Sequence, residues 1–103
     1  MKKSIALATI ALLFPALVAG QAATTNDGYT VCRSKQWIDD VNSFVAAGDR
    51  GSFRAYFDTN KCVVVREGLK ITVVDVIGFL GTQVEFIFNG VRFWAPTEAI
   101  KFD

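Results

Sequence analysis

Apolar residues change their spacing twice along this chain of 103 residues, and each change marks a boundary. Ile5 to Val18 form an apolar run behind Lys2 and Lys3, followed by the small residues Ala19, Gly20, Ala22 and Ala23. Positive, then apolar, then small is the order of a secretory signal peptide, predicted over residues 1–22 and removed on export. The run is shorter than the about 20 apolar residues of a spanning helix and contains Pro15, so no stable membrane insertion is expected. Residues 23–29 are small and polar and read as a flexible N-terminal segment.

Helical spacing follows. Trp37, Ile38, Val41, Phe44 and Val45 fall on one stripe, with Lys35, Gln36, Asp39, Asp40, Asn42 and Ser43 on the other side. Ser34 suits the N-cap and Gly48 the C-terminal stop. Asp49 can cap a second, shorter helix carrying Phe53, Ala55, Tyr56 and Phe57, and Asp58 to Lys61 turn the chain back. Residues 30–61 are therefore expected to be a helical hairpin. At Cys62 the period drops to two, and short strands separated by turn signals fill residues 62–103. Leu69, Ile71, Val73 and Ile77 are expected to face inward on a long strand, Val84, Phe86 and Phe88 on the next. Asn89-Gly90 predicts a tight hairpin turn, because both residues accept the positive φ of a type I′ turn. Ala95 to Ala99 read as one helical turn and Ile100 to Phe102 as a last strand.

Five strands, a tight third hairpin, a helical turn and a closing strand resemble a Src-homology-3-like barrel. The residues that carry the likeness are Gly68 to Val73, Asn89-Gly90 and Phe93-Trp94-Ala95-Pro96-Thr97-Glu98-Ala99-Ile100. The expected fold is α+β, an N-terminal α-hairpin packed on a five-stranded Src-homology-3-like β-barrel, with residues 30–103 one domain. The disulfide-tied hairpin in front of it resembles that of small exported bacterial proteins of uncharacterised family. The barrel resemblance implies a binding module whose groove lies between aromatic-bearing loops and suits extended peptides, without naming a ligand.

Composition narrows the function. The leader's removal leaves nine basic and ten acidic side chains with no basic stripe, which argues against nucleic acid as a partner. Cys32 and Cys62, an even count in a short exported chain, are expected to pair as a structural disulfide, with intermolecular pairing the alternative. Histidine is absent from the sequence, so zinc ligation and imidazole acid–base chemistry are unsupported; no metal, no cofactor, no catalytic residue and no enzymatic activity are expected. Asp39 and Asp40 are adjacent on a helix and do not face one another. Asp75 points inward on strict alternation, where it either pairs with Arg66 or Arg92 or is turned outward by a bulge.

Binding is the better expectation. Phe79 and Leu80, on a loop between two glycines, and Trp94, beside the closing turn, are the candidate ligand-binding residues. Phe79 and Leu80 serve equally as packing under the hairpin. The expected product is a periplasmic or secreted module for a protein, peptide or cell-wall component, or else an inhibitor or immunity-type factor that blocks an extracytoplasmic enzyme. The apolar run Val63-Val64-Val65 leaves monomer and weak homodimer both open.

Overall fold

The computed structural model describes residues 20–103; the leader expected over 1–22 falls, up to residue 19, outside them. Seven strands form one antiparallel sheet: β1 (Gln21–Thr25), β2 (Thr30–Cys32), β3 (Cys62–Val64), β4 (Lys70–Ile77), β5 (Gln83–Phe88), β6 (Val91–Pro96) and β7 (Ile100–Phe102). Their order is β3-β2-β6-β5-β4-β1-β7. Two helices, α1 (Lys35–Ala47) and α2 (Arg50–Asp58), lie between β2 and β3 in the chain.

The class remains α+β, but the closed five-stranded barrel behind an N-terminal hairpin is not what forms. The sheet is open, with β3 at one end and β7 at the other. The reason lies in residues 21–32. β1 inserts between β4 and β7, pairing Ala23 with Ile71 on one side and with Phe102 on the other. β2 adds beyond β6, through Cys32 opposite Trp94, and carries β3 on its outer side. The closing strand β7 therefore meets β1 instead of sealing a barrel. The helices form as the periodicity requires but are an insertion between two neighbouring strands.

β1 has no bulky side chain, which is why it reads as a tail. It is held by position. Ala23 and Thr25, alternate residues on the inner face, are each 2% exposed. Thr25 is the polar residue of the described core, and its hydroxyl donates to the Arg66 carbonyl (2.7 Å) while accepting from the Leu69 N–H (3.0 Å). Its backbone adds Thr25 N–H to the Leu69 carbonyl and Gly68 N–H to the Thr25 carbonyl. The turn after β3 is thus pinned by one residue far away in sequence.

Two apolar clusters divide the sheet by face. Ala23, Val31, Val65, Ile71, Val73, Val84, Phe86, Ala95, Ala99 and Ile100 share one face. Cys32, Cys62, Ile38 and Val41 share the other, with Trp37, Phe53, Tyr56, Phe57 and Trp94 against them. Cys32 and Cys62 are direct register partners with Cα atoms 4.0 Å apart, bridged by a disulfide under the helices. Both predicted caps form: the Ser34 side chain accepts from the Trp37 N–H, and Asp49 accepts from the Ser52 N–H. Asn89 and Gly90 have φ of 51° and 80°, as the β5–β6 hairpin demands. Asp75 is exposed because the β4–β5 register shifts between Val73 and Asp75. One extra residue reverses the alternation, so Asp75 lies opposite Glu85 and Val76 opposite Val84.

Thr25→Val keeps the volume and leaves the Arg66 carbonyl and the Leu69 N–H without their hydroxyl partner. It should lower unfolding free energy by about 2–4 kcal/mol, since each buried group left unsatisfied costs about 1–3 kcal/mol; chemical denaturation measures this. Cys32→Ala with Cys62→Ala opens a 30-residue loop and should cost about 3.5 kcal/mol on the chain-entropy account, read the same way.

Candidate functional site

The open end of the sheet leaves an apolar cleft. Val31, Val63, Val64 and Val65 line one side, and Leu69, Ile71, Phe86, Phe88 and Phe93 the other, of a cavity of about 360 Å³. Thr25 and Arg66 are the polar residues that line it. Local register builds the aromatic wall: Phe86 and Phe88 alternate on the inner face of β5, and Phe93 stands opposite Phe86 on β6, their rings stacked at 5.6 Å. Phe88 and Phe93 are half-buried. The walls remove apolar groups from water, worth about 1.5–3 kcal/mol for a fully buried Leu or Phe side chain. They offer no acid, base or nucleophile.

β3 borders the cleft with a backbone edge that is unpaired among the described residues. Arg33 N–H donates to the Lys61 carbonyl and Val65 N–H to the Tyr29 carbonyl, so the odd positions of this strand turn their hydrogen-bonding groups toward β2. By alternation, Cys62 and Val64 turn theirs away from it. Val64 is 59% exposed and Val63 is 37% exposed.

A second cluster lies on the helix side. The Tyr56 hydroxyl donates to Asp40 (2.7 Å), and Lys61 Nζ stands 4.6 Å from the Tyr56 ring and 5.2 Å from that of Trp37. The hydrogen bond from Tyr56, and after it the one from Gln36, holds the Asp40 carboxyl below its ordinary range. The same bond pushes the Tyr56 phenol up. Asp39 is lowered by hydrogen bonds from Lys35 and then Gln83, which ties α1 to β5. These contacts fasten the helices to each other and to the sheet.

The residues chosen from sequence are not gathered at the cleft. Trp94 packs beside the disulfide under the helices, on the opposite face from the cleft. Leu80 is 85% exposed on the turn Phe79–Gly81, with φ of 64°, and does not line the cleft. The side chain of Phe79 lies outside what is described. Sequence reasoning passed over Phe86 and Phe88 because it faced them into a closed core, and it used Phe93 only for the barrel likeness. The signal was present: three phenylalanines flank Asn89-Gly90, and Val63-Val64-Val65 is an apolar edge.

A family model, Surface attachment protein Sap1-like, matches residues 2–92. The chain belongs to the Sap1-like surface attachment family. The match runs through β1 to β5 and ends within β6, so it spans both walls of the cleft up to Phe88 and leaves Phe93 beyond it. No curated protein and no solved structure matches this Sap1-like chain. Membership points to an exported or surface location and a surface-associated binding role. Among the described residues no helix is long and apolar enough to cross a membrane.

In this Sap1-like protein the Asp40–Tyr56 pair sets a pH dependence. A lowered carboxyl adds stability above the ordinary carboxylate range and loses it as pH falls through the folded-state value. A raised phenol adds stability below the ordinary phenol range and loses it as pH rises through the folded-state value. Tyr56→Phe should remove the basic limb and weaken the acid one, which keeps the Gln36 bond to Asp40. Urea midpoints measured across pH test it.

Proposed function

We propose that this protein is an exported, surface-associated binding module that takes up an extended, apolar segment of a partner polypeptide along β3. The observation that carries the reading is the juxtaposition of an open strand edge and an apolar cleft. Outward N–H and C=O groups at Val64 can pair with an extended backbone while an apolar side chain of the same segment enters between Val63 and the phenylalanines. Among protein, peptide and cell-wall ligands, this favours polypeptide. A glycan has little apolar surface to give the cleft, and an acyl chain makes no use of the strand edge. The N-terminal leader acts as a signal peptide that delivers the domain. Binding is its work rather than catalysis: histidine is absent, Cys32 and Cys62 are joined, and Asp39 and Asp40 are occupied in holding the helices.

A second reading, an inhibitor or immunity-type factor, is favoured by Leu80, an apolar side chain held out on a turn.

Affinity capture from cell-surface extract by the oxidised domain distinguishes them. Val64→Pro removes one outward N–H and spares the bonds to β2; Phe88→Asp places a charge in the cleft. Both should lower retention of the partner at least about tenfold, as loss of roughly 1.4 kcal/mol would, while Leu80→Asp leaves it unchanged. Loss with Leu80→Asp alone moves the site to the turn and supports the inhibitor reading.

A further inference from the structure

A signal peptidase takes a small residue immediately before its cut. A cut after Ala22 places the small residues Gly20 and Ala22 three and one positions before it; a cut after Gly20 places Gly20 immediately before it and the larger Val18 three before. On the reading of the leader as a signal peptide, we infer that the chain is cut between Gly20 and Gln21, so that the working protein begins with β1 intact.

β1 decides it. A cut after Ala22 would make Ala23 the first residue, yet Ala23 is 2% exposed and flanked by Ile71 of β4 and Phe102 of β7. Such a cut would place the terminus inside the strand and remove Gln21 and Ala22, which pair with Val73 and Thr72. A cut after Gly20 keeps both pairs. Gln21 and Ala22 are exposed, so a terminal ammonium on Gln21 remains in water.

Gly20 marks the point where the chain leaves the sheet. Its φ is 106°, and a Cβ there would lie 2.6 Å from Thr72 Cγ2 and 3.0 Å from the Val73 carbonyl oxygen. That close fit belongs to the uncut chain, because this cut removes Gly20 with the leader, where glycine meets the narrow fit of a peptidase.

The intact mass of the full chain, expressed with its leader and purified from the exported fraction, tests this. The expected species is residues 21–103 with the disulfide closed. A lighter companion by one ammonia reports the same cut: an N-terminal Gln amine attacks its own side-chain amide carbon, a ring N–C bond forms, and the amide nitrogen leaves as ammonia. Ala22→Gln supplies the second arm. It puts a large residue immediately before the alternative cut but changes an exposed position of β1, so processing should proceed as in wild type with the same start. A mature chain beginning at Ala23, or accumulation of uncut Ala22→Gln precursor, overturns the inference. A wild-type chain that stays uncut from Met1 overturns the signal-peptide reading itself, an outcome readable from the same mass.

Discussion

Four hydrogen bonds converge on Thr25, and the remaining strands fall into place around them. Its hydroxyl and its backbone bind residues 66 to 69, the turn between β3 and β4. A threonine with 2% exposure is tolerable only because both hydroxyl functions, donor and acceptor, are used. The same residue pairs with Ile100, so β7 is recruited by the strand that fixes the turn. Among the described residues β7 is at the end of the sheet and pairs only with β1. Without β1 in place, the last strand has nothing to add to.

The disulfide organises the other end by a related logic. Cys32 belongs to β2, Cys62 begins β3, and the two helices are the excursion between them. Because register partners share a face, one bridge fixes both the pairing and its parity. Cys62 faces the helices, so Val63 faces the cleft and Val65 enters the core, while the exposed Val64 lies at the cleft's rim. Trp94, opposite Cys32, is covered on the same account. The covalent link therefore aligns the cleft wall while lying on the face away from it.

Legibility in the sequence followed side-chain size. α1, α2, their caps and the Asn89-Gly90 hairpin were readable because periodicity and turn chemistry are local. The bulge that exposes Asp75 was readable as one of two ways to keep a carboxylate out of an apolar interior. β1 was not, since Gln21-Ala22-Ala23-Thr24-Thr25 has the composition of a leader's end, and its burial depends on a gap between β4 and β7 that no local signal announces. Missing β1 and β2 turns the same strands into an expected barrel. The sequence reading placed its candidates on the Phe79-Leu80 turn and at Trp94, whereas the sheet leaves an aromatic surface accessible in the cleft.

An open edge beside an apolar cleft is a liability in an exported protein, because it invites pairing with any extended chain. Here the liability is limited. β3 is three residues long, the turn after it is fixed by Thr25, and Lys61 and Arg66 place charge at both ends of the valine run. Short, bounded edges discriminate against indefinite stacking while still admitting one strand. Val63 and Val65 could have been shielded by a longer closing strand, but β7 is committed to β1 on the far side of the sheet. The arrangement that stabilises the N-terminal strand is therefore the one that leaves the cleft uncovered, so the site is a consequence of where β1 inserts.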